Sequence, residues 1–155
     1  MMTESEYMDI ALAEAMLAAS KDEIPVGAVI VKDGEVLAKA HNSNRTDNIS
    51  TRHAEIKVIE EASRLIQNER LIDCDLYVTK EPCAMCAGAI IHARIRRVFI
   101  GTEDSRFGTC GTAISICGNS LFNHVPEIIF GLRREACSEI LKNFFAKKRI
   151  NQKVF

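Results

Sequence analysis

Apolar residues recur along this chain with two different periods, and each change of period marks an element. Between residues 7 and 20, Met8, Leu12, Ala15 and Met16 fall at helical spacing while Glu6, Asp9 and Glu14 lie off that stripe, which predicts an amphipathic helix. Pro25 ends the linker that follows. Residues 26–31 are an unbroken apolar run, the pattern of a buried strand. Lys32-Asp33-Gly34-Glu35 carries the Asp-Gly signal of a hairpin, and residues 36–42 form the return strand. Residues 43–50 are polar and read as loop. Thr51 is the expected cap of a helix running to about Gln67, with Ile56, Ile59, Ala62 and Ile66 inward. A strand is expected at 76–79, and Pro82 suits the first turn of a helix that ends near Arg94. A strand at 97–101, an aperiodic glycine-containing loop at 105–123, a short strand at 127–131 and a closing helix at 135–148 complete the chain. Strands alternating with helices after an opening hairpin predict a three-layer α/β/α fold around a mixed sheet of about five strands.

Length and composition narrow the class. At 155 residues a single domain is expected, and an apolar fraction of 47% is enough for a true core. No apolar run approaches a membrane span. The acidic start, Thr3-Glu4-Ser5-Glu6, resembles neither a signal peptide nor a basic transit segment, so a cytoplasmic protein without a membrane partner is expected. In that compartment cysteines bind metal more often than they form disulfides. Cys83 and Cys86 form a C-x-x-C pair, whereas Cys74, Cys110, Cys117 and Cys137 read as reduced, small, buried residues. The net charge of −1 gives no global sign of nucleic-acid binding, but the charge is unevenly spread. Residues 1–30 hold six acids and one base, and residues 132–155 hold seven bases and two acids. A basic end suits a polyanion, and a solvated helix face explains it equally well.

The chemistry is concentrated in His53-Ala54-Glu55 and, thirty residues after the histidine, Pro82-Cys83-Ala84-Met85-Cys86. One imidazole and two thiols are three ligands for zinc, and catalytic zinc sites keep three protein ligands and leave the fourth position to water. Residues two apart on a regular helix point about 200° apart, so His53 and Glu55 converge only at the irregular start of a helix. Cys83 and Cys86, three apart, share a face in a first turn, where the helix dipole and free N–H groups favour thiolates. Zinc lowers the pKa of water toward ~7, and Glu55, two residues after the histidine, is the proton carrier such a water needs. A closed structural site needs a fourth ligand, and His41, His92 and His124 have no spacing that pairs with the first three. H-x-E followed by P-C-x-x-C is the signature of zinc-dependent nucleobase deaminases.

With these motifs placed, nearly the whole chain resembles the bacterial tRNA-specific adenosine deaminases (the TadA type). The carriers are Ile24-Pro25-Val26-Gly27-Ala28-Val29, Asn42, His53-Ala54-Glu55, Leu76-Tyr77-Val78-Thr79, the run from Glu81 to Ile90, Ile91-His92-Ala93-Arg94-Ile95, Gly101 with Asp104, Asn123-His124, and Phe144-Phe145 before the basic end. The resemblance implies a cytidine-deaminase-like fold, a homodimer with active sites near the interface, and conversion of the wobble adenosine of a tRNA anticodon to inosine. It implies one zinc ion per chain on His53, Cys83 and Cys86, with Glu55 as the catalytic proton shuttle. It further implies Asn42 as a partner of the flipped base, and Asp104, Asn123, Phe145 and Arg149 as contacts to the anticodon stem-loop. The chain departs from the family pattern at Ser50-Thr51-Arg52, where a proline and a small residue usually precede the histidine. Arg52 is then either a group at the pocket mouth, free to bind phosphate, or a charge pointing into solvent. Two other readings remain at this point. One is a deaminase of a free base or nucleoside such as guanine or cytosine, which has no need of a basic helix with paired aromatics. The other is a non-catalytic, zinc-stabilised RNA-binding module, for which Glu55 has no use.

Overall fold

The elements follow the expected order: α1 (Glu4–Ser20), β1 (Gly27–Lys32), β2 (Glu35–His41), α2 (Asn44–Asp47), α3 (Ala54–Ile66), β3 (Cys74–Lys80), α4 (Ala84–Ala93), β4 (Arg97–Thr102), β5 (Glu127–Phe130) and α5 (Arg134–Lys153). The structure is a computed structural model that describes residues 1–153, with side chains described through Asn151. The sheet order is β2-β1-β3-β4-β5. β1 is antiparallel to both β2 and β3, while β3, β4 and β5 are mutually parallel neighbours. The five-stranded mixed sheet is therefore the one the pattern predicts. Asp33 and Gly34 both have positive φ (51° and 78°), the requirement of the two-residue hairpin turn that joins β1 to β2.

Alternation along the strands builds two cores. Ala28, Ile30, Leu76, Val78, Val98 and Ile100 face α3 and α4, where Ala54, Val58, Ala87 and Ile90 meet them. Val29, Val31, Tyr77 and Phe99 face the other way and bury against Tyr7, Met8, Ala11 and Cys137 of α1 and α5. On that side the Tyr77 and Phe99 rings stack at 4.5 Å.

α1 turns a different face to the sheet than the sequence predicts. Met16 is 63% exposed, whereas Ala11, Glu14, Ala15 and Ala18 are buried. The reason is Gly27: a Cβ there would lie 1.9 Å from the Ala11 carbonyl oxygen and 2.7 Å from the Ala15 nitrogen. The small-residue face of α1 thus packs backbone to backbone on the start of β1. Glu14 is accommodated because its Oε1 lies 3.0 Å from His41 Nδ1. The segment expected as loop at 43–50 contains α2. The buried Glu23 carboxylate accepts hydrogen bonds from the backbone N–H groups of Arg45 and Thr46 (3.1 and 2.6 Å), satisfying donors at the start of that short helix. Cys74, Cys110, Cys117 and Cys137 are buried and unpaired, as the sequence predicts. Among the described residues no helix is long and apolar enough to cross a membrane.

Candidate active site

Two helix starts meet on the sheet face covered by α3 and α4. His53 is the extended N-cap of α3 and Cys83 the extended N-cap of α4. Leaving the helical conformation at His53 is what lets it and Glu55, in the first turn of α3, serve one site. The cap of α3 is not Thr51. Instead Asn42, just past the end of β2, accepts the Ala54 N–H at its Oδ1 (2.8 Å), so β2 holds the first turn of the histidine helix. Pro82 stands one residue before the cap of α4 rather than inside its first turn.

The ligand geometry fits a tetrahedral metal. His53 Nδ1 is 3.6 Å from Cys83 Sγ and 3.5 Å from Cys86 Sγ. A tetrahedral ion with nitrogen at ~2.0 Å and sulfur at ~2.3 Å has nitrogen–sulfur edges of about 3.5 Å. Among the described residues His53, Cys83 and Cys86 are the one such cluster of metal-ligating groups, their ligand atoms within 4.8 Å of one another. Their protonation is mutually dependent. The hydrogen bond from Cys86, reinforced by His53, brings the Cys83 thiol down to about 4, against the upward push of burial. Cys86, hydrogen-bonded to that thiolate and buried, is pushed far up, and the Cys83 hydrogen bond raises His53. A divalent cation resolves this competition by taking a lone pair from each.

Glu55 lies outside the ligand cluster. It is 4% exposed, and its Oε1 is buried without a hydrogen-bond partner. Burial pushes its carboxyl above the ordinary range. A buried carboxylate oxygen left unpaired costs stability, and such groups concentrate where chemistry is done. A water on the metal would give that oxygen its partner.

These groups open into a cavity of about 630 Å³, lined by Asn42, His53, Glu55 and Cys83 at its polar end and by Ile24, Val26, Phe107, Phe144 and Phe145 elsewhere. That size suits a nucleoside. Cys86 sits behind the wall, fully buried. Asp104 lines the cavity, but its carboxylate accepts the N–H groups of Arg106 and Phe107 and pairs with Lys80 (3.1 Å). Phe145 divides the cavity from a neighbouring depression that contains Arg149. Asn123 lies apart from both, bonded to Arg94 (3.1 Å). Arg52 turns away, pairing with Glu60 (3.1 Å) and Asp47 (3.5 Å). His92 is exposed, and His41 and His124 are engaged with Glu14 and the Ile95 carbonyl.

Glu81 escaped the sequence reading. It is 3% exposed, and its carboxylate accepts the N–H groups of Asp104, Cys110 and Thr112 (3.1, 2.9 and 3.2 Å). It thereby ties the Pro82-Cys83 turn to the loop that carries Phe107. Gly108 is required there, since a Cβ would lie 2.4 Å from the Glu81 carboxyl carbon. The signal was an acidic residue at the end of a buried strand, where an unpaired charge is rarely tolerated.

A His-Cys-Cys cluster at two helix starts, with a buried carboxylate beside it and a nucleoside-sized cavity in front, on this five-stranded sheet, is the layout of a cytidine-deaminase-like enzyme. The sequence profile of the MafB19-like deaminase family matches residues 2–149. A tRNA-specific adenosine deaminase of Agrobacterium fabrum (strain C58 / ATCC 33970) is 42% identical over 151 residues, 97% of this chain and 99% of that protein. A solved tRNA:A34 deaminase, from work on A-to-I editing at the wobble position of transfer RNA, aligns with a TM-score of 0.86 at 43% identity, covering 89% of this chain and 100% of that one. The guanine deaminase of Bacillus subtilis aligns with a TM-score of 0.63 at 39% identity over 66% of each chain. The chain belongs to the MafB19-like deaminases and, among them, to the family of tRNA-specific adenosine deaminases.

Proposed function

We propose that this protein hydrolytically deaminates the wobble adenosine of a tRNA anticodon to inosine, releasing ammonia, with one zinc ion per chain. The observation that carries this reading is the unpartnered, buried Glu55 oxygen beside His53, Cys83 and Cys86, in a cavity walled by the aromatic and basic residues of α5. Bound by the three ligands, zinc supplies the Lewis acidity that makes hydroxide available near neutral pH. Glu55 accepts one proton of the attacking water at its free oxygen and passes it to the ring nitrogen next to the attacked carbon; it then takes the remaining proton of the added hydroxyl and delivers it to the amine, which leaves as ammonia as the inosine carbonyl forms. Asn42 serves twice. Its Oδ1 seats the first turn of α3, and its NH₂ group offers donors to the flipped base. Ile24, Val26 and Phe107 exclude water from the base. Phe145 offers a face for an unpaired base, and Arg149, with Lys147 and Lys148, holds the backbone of the stem-loop. Lys153, in the same basic end of the chain, has its side chain outside the described residues. Asp104 contributes from the loop it braces. Asn123 reaches RNA from a homodimer, whose second copy covers the exposed Leu121 and Phe122 beside it. The setting is the cytoplasm.

The two roles of Asn42 are separable. Asn42→Ala should lower stability by ~1–3 kcal/mol and slow single-turnover deamination, while RNA affinity changes little. Asn42→Asp keeps the acceptor for Ala54 and loses the donors. It should retain the melting temperature and still lose turnover, as thermal denaturation and single-turnover rates will read out.

The likeness to a guanine deaminase supports a second reading, a free-base deaminase. An anticodon stem-loop with adenosine at the wobble position, tested beside free adenine, cytosine and guanine, separates the two. Inosine in the loop with no ammonia from the free bases supports tRNA editing. Ammonia from guanine or cytosine with an unaltered stem-loop replaces it with the second reading.

A further inference from the structure

A cluster of charge lines part of the cavity, and none of the proton transfers of deamination uses it. Lys148, toward the end of α5, places its Nζ 2.5 Å from Asp22 Oδ1. Arg45, in α2, places Nη1 3.0 Å from Asp22 Oδ2 and 3.3 Å from the Asp22 carbonyl oxygen. All three residues line the cavity. One carboxylate thus draws together two cations from α2 and α5. The Asp22 and Arg45 side chains are 59% and 65% exposed. Ion pairs so open to water add little to stability and exchange partners readily. The next residue behaves differently. Glu23 is buried and fixes the backbone of Arg45 and Thr46, so the position of Arg45 does not depend on what its guanidinium holds.

We propose that Arg45 and Lys148 form the seat of a phosphodiester flanking the nucleoside in the cavity, and that Asp22 occupies this seat in the free protein until the phosphate displaces it. The proposal rests on the RNA reading above. A carboxylate is a monoanion with two oxygens, and here each oxygen serves one cation. The two non-bridging oxygens of a phosphodiester offer the same pattern, with a guanidinium fork on one side and an ammonium on the other. Asp22 is then a built-in competitor. An RNA backbone replaces it only by reaching both cations at once, so loosely placed RNA gains less from the seat than a correctly docked loop. Discrimination of this kind works by a repulsive element against the wrong partner.

Asp22→Asn tests the idea with little risk to the fold. Asp22 has φ +61°, a conformation asparagine tolerates well, and its carbonyl still accepts from Arg45. The dissociation constant of a wobble-adenosine stem-loop is measured by fluorescence anisotropy, and inosine formation is followed in parallel. D22N should bind about fivefold more tightly, the worth of one like-charge contact in water, with an unchanged melting temperature. Lys148→Met and Arg45→Met should each weaken binding, and the gain from D22N should shrink in both backgrounds. An unchanged or weaker affinity in D22N overturns the proposal. So does a gain undiminished in both cation-deleted backgrounds, which marks a general charge effect. A wild-type protein that edits the stem-loop while D22N binds no more tightly leaves the RNA reading standing and removes the seat. A wild-type protein that neither binds nor edits it removes both.

Discussion

Glu55→Ala should keep its zinc and its fold while losing roughly 10²–10⁴-fold or more in turnover, because the proposed mechanism routes several proton transfers through this one carboxylate. The sign of the stability change makes this prediction sharp. Glu55 is buried, and one of its oxygens has no partner. Removing such a group relieves a desolvation penalty, so the metal-free variant should melt no lower than the metal-free parent. Zinc content should stay at one per chain, since the ligand cluster consists of His53, Cys83 and Cys86. X-ray absorption should show two sulfur neighbours at ~2.3 Å and lighter atoms at ~2.0–2.1 Å in both proteins. Near-normal turnover in a zinc-loaded Glu55→Ala protein would remove the carboxylate from the mechanism.

Gly27→Ala should be the most damaging single-methyl change in the fold. The added carbon meets the Ala11 carbonyl oxygen at 1.9 Å and the Ala15 nitrogen at 2.7 Å, both backbone atoms of α1. No side chain can rotate out of the way, so α1 must lift from β1. Overpacking costs typically ~1–3 kcal/mol, and a backbone-on-backbone clash belongs at or beyond the upper end. For a chain of this length ~3 kcal/mol corresponds to roughly 6–12 °C in melting temperature. Activity should fall too, since Val26, the residue before it, lines the cavity and its carbonyl accepts the Asn42 N–H (3.2 Å). Gly88→Ala is the control. It lies within α4 with nothing inside 4 Å of the new carbon, so it should be neutral or stabilising by up to ~1 kcal/mol. Equal melting temperatures for Gly27→Ala and wild type would refute the close approach of α1.

What the sequence discloses well is local. The Asp33-Gly34 hairpin, the strands with their inward and outward alternation, and the placing of His53, Cys83 and Cys86 at two helix starts depend on neighbours within a few residues. What it hides is held from a distance. The cap of α3 comes from Asn42, twelve residues before Ala54, so Thr51 looked like the better candidate. The short helix α2 exists because Glu23 reaches across to it. The inward face of α1 is set by Gly27, and an alanine-rich helix offers little contrast from which to read a stripe; Met16 therefore looked like core and is not. Glu81 carries no helical or strand period, and its role appears only when three N–H groups from a later loop converge on it. The uneven charge along the chain has a partly internal explanation as well. Asp9 pairs with Arg133 and Asp22 with Lys148, so acids of the first segment face bases of the last.

The wall that α5 contributes to the cavity also has a place in time. His53, Cys83 and Cys86 belong to the first three fifths of the chain, and β1 to β3, which precede Cys83, are neighbours in the sheet. Phe144, Phe145 and Lys148 follow about 60 residues after Cys86, a delay of roughly 3–12 s at translation rates of about 5–20 residues per second. During vectorial synthesis the ligand cluster therefore leaves the ribosome well before its outer wall. A metal ion can thus reach the cluster in the nascent chain before α5 adds its wall to the cavity.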